Sequence, residues 1–243
     1  MARPVEHGEA RRPVAPLVAA LALAGLLGLL AAGPAPGAAA AQEPSAPQGT
    51  ADAAPSPWAV LDQARRSLAG AGAEQAEFVQ SYVPAGFSSG EQEEGRIALL
   101  LPKCLRWDYD EPFPKSFLLC DEEVWAWNPE DRRGQKGSLD RESQPGLDLL
   151  LLPIEDLGDR YEARVTETGE DWVAIRLEPK AELAQRTELT EATLVVDTGT
   201  DRLRELAYKD REGNRTRFEL SGYHSVEPRG LFEAPEWIVW EEM

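Results

Sequence analysis

Cys104 and Cys120 are the residues of this chain with the clearest chemistry, and the sequence holds no other cysteine. An acidic, proline-containing break, Asp110 to Pro114, lies between them, and both are equidistant from its centre at Pro112. If the flanking segments are strands of one hairpin, the two thiols face each other on the same side of a sheet. An oxidising compartment would then join them as a disulfide. A bulge in the turn would instead offset the pair and leave two free thiols.

No further set of residues points to chemistry. His224 has no serine or cysteine partner pattern, and a strand or surface position is the ordinary place for such a residue. The acid pairs Glu122-Glu123 and Glu241-Glu242 fall in a turn and at the terminus, where they are solvated. No Cys/His spacing suits zinc and no glycine-rich loop suits phosphate. The reading is a protein that is not an enzyme, with no metal and no cofactor. A hydrolase is the weakest alternative, for want of residues.

The segments around the cysteines are strand-like. Ile97 to Tyr109, Ser116 to Asp121 and Val124 to Trp127 are apolar runs separated by turn chemistry, and their aromatic residues recur at alternate positions. Ile97, Leu99 and Leu101 share parity with Leu105, Trp107 and Tyr109, so all six fall on one face if Pro102 does not shift the register. With Phe78 on an earlier strand and Trp125 and Trp127 on a later one, they are the candidate lining of an apolar hollow. The same residues also suit an ordinary core.

Residues 1–41 read as an export signal. Arg11 and Arg12 precede an apolar run, Val14 to Ala32, a Gly/Pro break follows, and Ala39-Ala40-Ala41 forms a small-residue cleavage pattern. Residues 42–57 are a Pro/Ala-rich leader. Residues 58–243 are expected to form one domain. The expected location is the periplasm. The chain carries 25 basic and 43 acidic residues, net −18, which argues against nucleic acid and against anionic lipid as partners.

Within the domain, Trp58 to Leu68 carries a helical apolar stripe ended by Gly70 and Gly72. Glu130 to Gln144 is charged and lacks an apolar period, so a surface segment without regular structure is expected. Leu147 to Leu157 is leucine-rich, helical and broken by Pro153. Leu147, Leu150, Leu151 and Ile154 make it the candidate lid, with a fixed core helix as the other reading. Strands then follow one another through Asp197–Asp201 and Asp210–Asn214 turns to a short final strand near Trp237. The expected fold class is α+β, with eight to eleven antiparallel strands. A sheet of that size curls into an incomplete barrel, with helices on its concave face.

In order and spacing these residues resemble the LolA-like periplasmic lipoprotein carrier family. The resemblance rests on Phe78-x-Gln80, then Gly95, Ile97, Leu99, Pro102, Trp107 and Tyr109. It continues through Pro112, Leu118-Leu119-x-Asp121 with Val124-Trp125, and Asn128-Pro129. Leu206 to Asp210 with Gly213 and Leu231-Phe232 with Pro235 complete it. It implies a monomeric half-barrel carrier that takes acylated lipoproteins from an inner-membrane ABC-type extractor, shields their acyl chains, and passes them to an outer-membrane receptor. The other reading is a periplasmic protein of the same fold that binds another lipid or hydrophobic ligand. One position departs from the family pattern: Leu101 stands where an arginine usually ties the sheet to the lid helix.

Overall fold

A computed structural model describes residues 55–138, 148–151 and 153–242. The residues read as an export signal, most of those read as a leader, and Leu147 lie outside the described residues, as does the side chain of Leu151. Among the described residues, no helix is long and apolar enough to cross a membrane.

The chain opens with α1 (Pro57–Ala71). Pro57 suits the first turn, because its missing N–H has no partner there in any case. Leu61, Ala64 and Leu68 are its buried stripe, and Gly72, at φ 80°, turns the chain out of the helix. Next come β1 (Glu74–Val83), β2 (Glu91–Leu100), β3 (Cys104–Glu111), β4 (Lys115–Cys120), β5 (Glu123–Asn128) and β6 (Arg133–Ser138). Two short helices follow, α2 (Asp148–Leu151) and α3 (Ile154–Arg160), with Pro153 at the start of the second. Then come β7 (Tyr161–Thr168), β8 (Trp172–Pro179), α4 (Ala181–Ala184), β9 (Leu189–Asp197), β10 (Arg202–Asp210), β11 (Arg215–Ser225) and β12 (Val239–Glu242).

The twelve strands among the described residues form one open sheet, in the order β12-β6-β5-β4-β3-β2-β1-β11-β10-β9-β8-β7. The α+β class and the strand-dominated, unclosed sheet agree with the sequence reading. Four details differ, the first being that the described residues form twelve strands where eight to eleven are expected. Ile97 to Tyr109 is two strands rather than one, turned at Leu101 to Lys103, where the Lys103 N–H bonds the Leu100 carbonyl at 2.8 Å. The Glu130 to Gln144 stretch contains β6, which lacks an apolar period because it is half-exposed on both faces. The final strand, β12, pairs with β6 in parallel, whereas every other pair is antiparallel.

One face of the sheet, the inner face, carries α1 and α3. On it lie two apolar clusters. The first joins Leu61 and Ala64 of α1, Leu149 and Leu157, and the inward side chains of β8, β9 and β10 such as Ile175, Leu194 and Val196. The second joins Leu68 to Ala76, Phe78, Ile97, Leu99, Leu105, Tyr109 and Leu119. Phe218 and Leu220 pack against both, so the apolar inner face is continuous. Gly95 shows how closely the strands approach. A Cβ there would stand 2.0 Å from the Asp108 carbonyl oxygen, at the bulge between β2 and β3.

The outer face has a small core of its own. Leu118, Trp127 and Ile238 are buried there, with Trp125, Phe232 and Trp240 around them. Arg106 stacks over Trp127 at 5.2 Å and donates to the Leu231 carbonyl at 2.9 Å, which ties the C-terminal segment across β3 to β5.

Candidate functional site: an apolar hollow beneath α1 and α2

The hollow lies between the helices α1, α2 and α3 and the far half of the sheet. From α1 it is lined by Leu61, Ala64, Arg65 and Leu68, and from β8, β9 and β10 by Leu177, Leu194, Val196 and Leu203. Leu149, Leu150 and Leu157 of α2 and α3 wall it on one side, and Leu101, in the β2–β3 turn, completes it. Its free volume is about 40 Å³, room for only a few water-sized groups. The leucines of α2 and α3 thus fill most of a space that would otherwise be open.

The walls differ in how they are held. Side-chain contacts fix α1 to the sheet. Arg202 donates to Ser67 Oγ at 2.7 Å and to Glu74 at 2.9 Å, and Gln63 donates to Asp201 at 3.0 Å. The C-terminal end of α3 is fixed by Lys180, whose Nζ donates to the Gly158 carbonyl at 2.6 Å and whose N–H bonds the Arg160 carbonyl at 2.9 Å. Between α2 and α1, Arg65 donates from Nη1 to the Leu149 carbonyl at 3.0 Å. Burial draws the Arg65 pKa down, with Asp62 and Glu155 acting against that.

The described residues among those picked from sequence divide into four groups. Leu101 lines the hollow, as does Leu150. Phe78, Ile97, Leu99, Leu105 and Tyr109 are buried together in the adjoining cluster, with Trp107 half-buried against them. There Phe78 meets Tyr109 edge-on at 4.9 Å, and the Tyr109 hydroxyl donates to Gln80 at 2.6 Å. These aromatic rings fill their space instead of leaving it open. Ile154 packs half-buried against the first cluster. Trp125 and Trp127 are not brought to the inner face at all. They lie on the outer face, because β4 and β5 join through a two-residue turn that pairs Leu118 with Trp125 and Leu119 with Val124.

Leu177, Leu194, Val196, Leu203 and Arg65 were missed. The strand residues had a signal, since they alternate on β8 to β10. Aliphatic stripes leave room where aromatic ones do not. Arg65 also had one, as a cation inside the apolar stripe of α1. A larger cleft of about 390 Å³ lies elsewhere, between α3 and α4, lined by Asp159, Arg160, Lys180, Glu182 and Arg186. It is open and charged on both sides, which does not suit an apolar ligand.

The cysteines meet as their register requires. Cys104 and Cys120 are bonded, and both sit on the outer face beneath Phe232. Among the described residues, no cluster of His, Cys, Asp or Glu is placed to hold a metal ion.

Residues 70–233 match the family model described as outer membrane lipoprotein carrier protein LolA. This chain belongs to the LolA family. Curated LolA-family relatives include the outer-membrane lipoprotein carrier protein of Xanthomonas campestris pv. campestris. It is 25% identical over 166 residues, covering 67% of this chain and 75% of that protein. The protein of the same name from Xylella fastidiosa is 23% identical over 152 residues, with 61% and 70% covered. Among solved structures, an uncharacterized conserved protein from Thermus thermophilus shares the fold. Its TM-score is 0.50 at 11% identity, covering 76% of this chain and 98% of that one.

Proposed function

We propose that this LolA-family protein is a periplasmic carrier that holds the acyl chains of lipoproteins in the hollow beneath α1 and α2. It receives them from an inner-membrane ABC-type extractor and delivers them to an outer-membrane receptor, acting as a monomer without cofactor or covalent step. The observation that carries this reading is the hollow: eleven aliphatic side chains and one arginine line it, and three of the eleven are leucines of α2 and α3.

The physical need is plain. Each acyl CH₂ exposed to water costs about 0.8 kcal/mol, so a chain of about fifteen resists leaving a membrane by about 12 kcal/mol. A carrier must offset much of that and still release the chain. A hollow whose filler is the protein's own leucines does both, because loading exchanges one apolar contact for another. The segment from α2 to the start of α3 is the lid. It leaves its place when a chain enters and returns when the chain departs.

Leu101 supports a second reading, because an apolar side chain stands where the family pattern has an arginine. In that reading the cargo is another lipid, without protein attached. Mass spectrometry of material co-purifying with the protein from its native compartment tests both. Acylated lipoproteins are expected. Free lipid alone would favour the second reading, and an empty hollow under conditions that load a known carrier would sink both.

A further inference from the structure

Four large apolar side chains stand well exposed among the described residues. Two of them, Phe87 at 67% and Phe113 at 73%, occupy the turns β1–β2 and β3–β4. A lone exposed apolar residue is ordinary. These two share one end of the sheet, because β2 and β3 are neighbours. Tyr82 pairs with Glu91 at the base of the first turn, and Glu94 of the same strand pairs with Glu111 at the base of the second.

Both rings are held out on braced turns. The Phe87 N–H bonds the Pro84 carbonyl at 3.1 Å, which closes a tight turn. The Ala85 N–H donates to Asn214 Oδ1 at 2.9 Å, and the buried Asn214 donates to Asp210 at 2.8 Å, so this turn is pinned to the one between β10 and β11. Phe113 stands between Pro112 and Pro114, which restrict the backbone on both sides of it.

The charge pattern says what such rings meet. Residues 84–90 and 112–114 carry no charged side chain. Glu91, Glu111 and Glu212 stand exposed directly behind them, while Lys115 is held by Glu93 at 2.5 Å and Arg211 by the Ala184 carbonyl. Tyr82 and Tyr208 lie half-buried at the same end, both opposite Thr216 of β11. Uncharged apolar tips backed by phenols and charges match the layers of a bilayer interface. Two rings on separate turns give a protein partner little contiguous surface, whereas a bilayer takes isolated rings one by one.

The geometry points to a lipid-docking tip: Phe87 and Phe113 enter the interface of a zwitterionic bilayer and bring this end of the sheet onto it. The acids behind the turns, in a chain of net charge −18, turn the contact away from anionic lipid. Two rings make it weak and reversible. It stands on the turns alone and holds whether or not the hollow carries acyl chains.

The test uses residues 42–243, which hold every element described above and omit the apolar run Val14 to Ala32, itself able to enter a bilayer. Flotation with phosphatidylcholine–phosphatidylethanolamine vesicles compares wild type with Phe87→Ser, Phe113→Ser, the double variant and Phe87→Trp. Loss of one ring should lower partitioning about tenfold. The double variant should stay in solution, and Phe87→Trp should bind at least as well as wild type, since Trp favours the interface. Added phosphatidylglycerol should weaken binding, and salt should restore it. A fluorescent label at Ser88→Cys should shift to the blue on vesicles, whereas one at Thr200→Cys, at the opposite end of the sheet, should not. If the serine variants do not fold, the labels and Phe87→Trp decide. Wild type floating no better than the double variant, or a shift at Thr200 alone, would overturn the tip. A shift at Ser88 with membranes that keep their own proteins, but not with vesicles of the lipids extracted from them, would overturn it in favour of a protein partner.

Discussion

Cys104 and Cys120 face each other directly across β3 and β4, their Cα atoms 4.2 Å apart, and the bond between them lies on the face opposite the hollow. The link therefore holds the register of the strands without occupying the inner face. Replacing both cysteines by serine should destabilise the protein by about 3 kcal/mol, from the loop of about 15 residues that the bond closes. Urea unfolding followed by tryptophan fluorescence measures this. Ligand affinity of the folded variant should be unchanged.

The hollow makes a prediction that separates the two faces of the sheet. Leu101→Glu places a carboxylate at the lining and should lower acyl or dye affinity at least about tenfold, because taking a charge out of water into an apolar site costs several kcal/mol. Trp125→Ala removes a larger side chain from the outer face and should leave affinity within about twofold of wild type. Titration of both variants with one dye gives the answer. Equal loss in the two would place the ligand elsewhere.

The lid can be held shut. Leu101 and Leu150 line the same hollow from the sheet side and from α2. A disulfide between cysteines introduced at both positions should block loading in the oxidised form and permit it after reduction, with stability equal or higher while oxidised. Exchange of cargo at the native rate in the oxidised protein would mean that α2 is a fixed part of the core.

The phenols predict alkaline sensitivity. Burial raises the pKa of Tyr109, and the same cause, the largest of several, raises those of Tyr208 and Tyr223. In the unfolded chain a tyrosine ionises near pH 10. The unfolded state therefore loses protons first as pH rises, so stability is complete below about pH 10 and falls above it. Tyr109→Phe should flatten that fall. It should also cost about 1 kcal/mol at neutral pH through the lost bond to Gln80. Unfolding free energy measured from about pH 8 to about pH 11, on either side of the free phenol's range, shows both effects.

Much of the sheet was legible because parity survives a turn of the right length. Ile97 pairs with Trp107 and Leu99 with Leu105, so the three-residue turn at Leu101 to Lys103 returns the same parity to the same face. The error of reading one long strand there did not move any side chain to the wrong side. At Asp121-Glu122 the turn has two residues, and parity inverts. Trp125 and Trp127 thus left the face to which alternation alone assigned them. β6 was illegible for another reason: its neighbours β5 and β12 supply the pairing, and its own side chains carry no apolar period. The hollow was legible only at Leu101 and Leu150. Sequence shows where apolar side chains gather, whereas a hollow depends on where their volumes fall short.

The central pairing of β1 with β11 has a consequence for when this protein can fold. Phe78 lies beside Gly95 on one flank and Leu220 on the other, so the first strand made waits for almost the last before both its edges are satisfied. β6 likewise waits for β12. A chain made N-terminus first can form hairpins early but cannot complete the sheet until β11 and β12 have been made. Contacts this distant in sequence make closure slow. The middle of the sheet is thus the part assembled last: β1 is made early, yet its second edge stays open until β11 exists, and the architecture itself sets that timing.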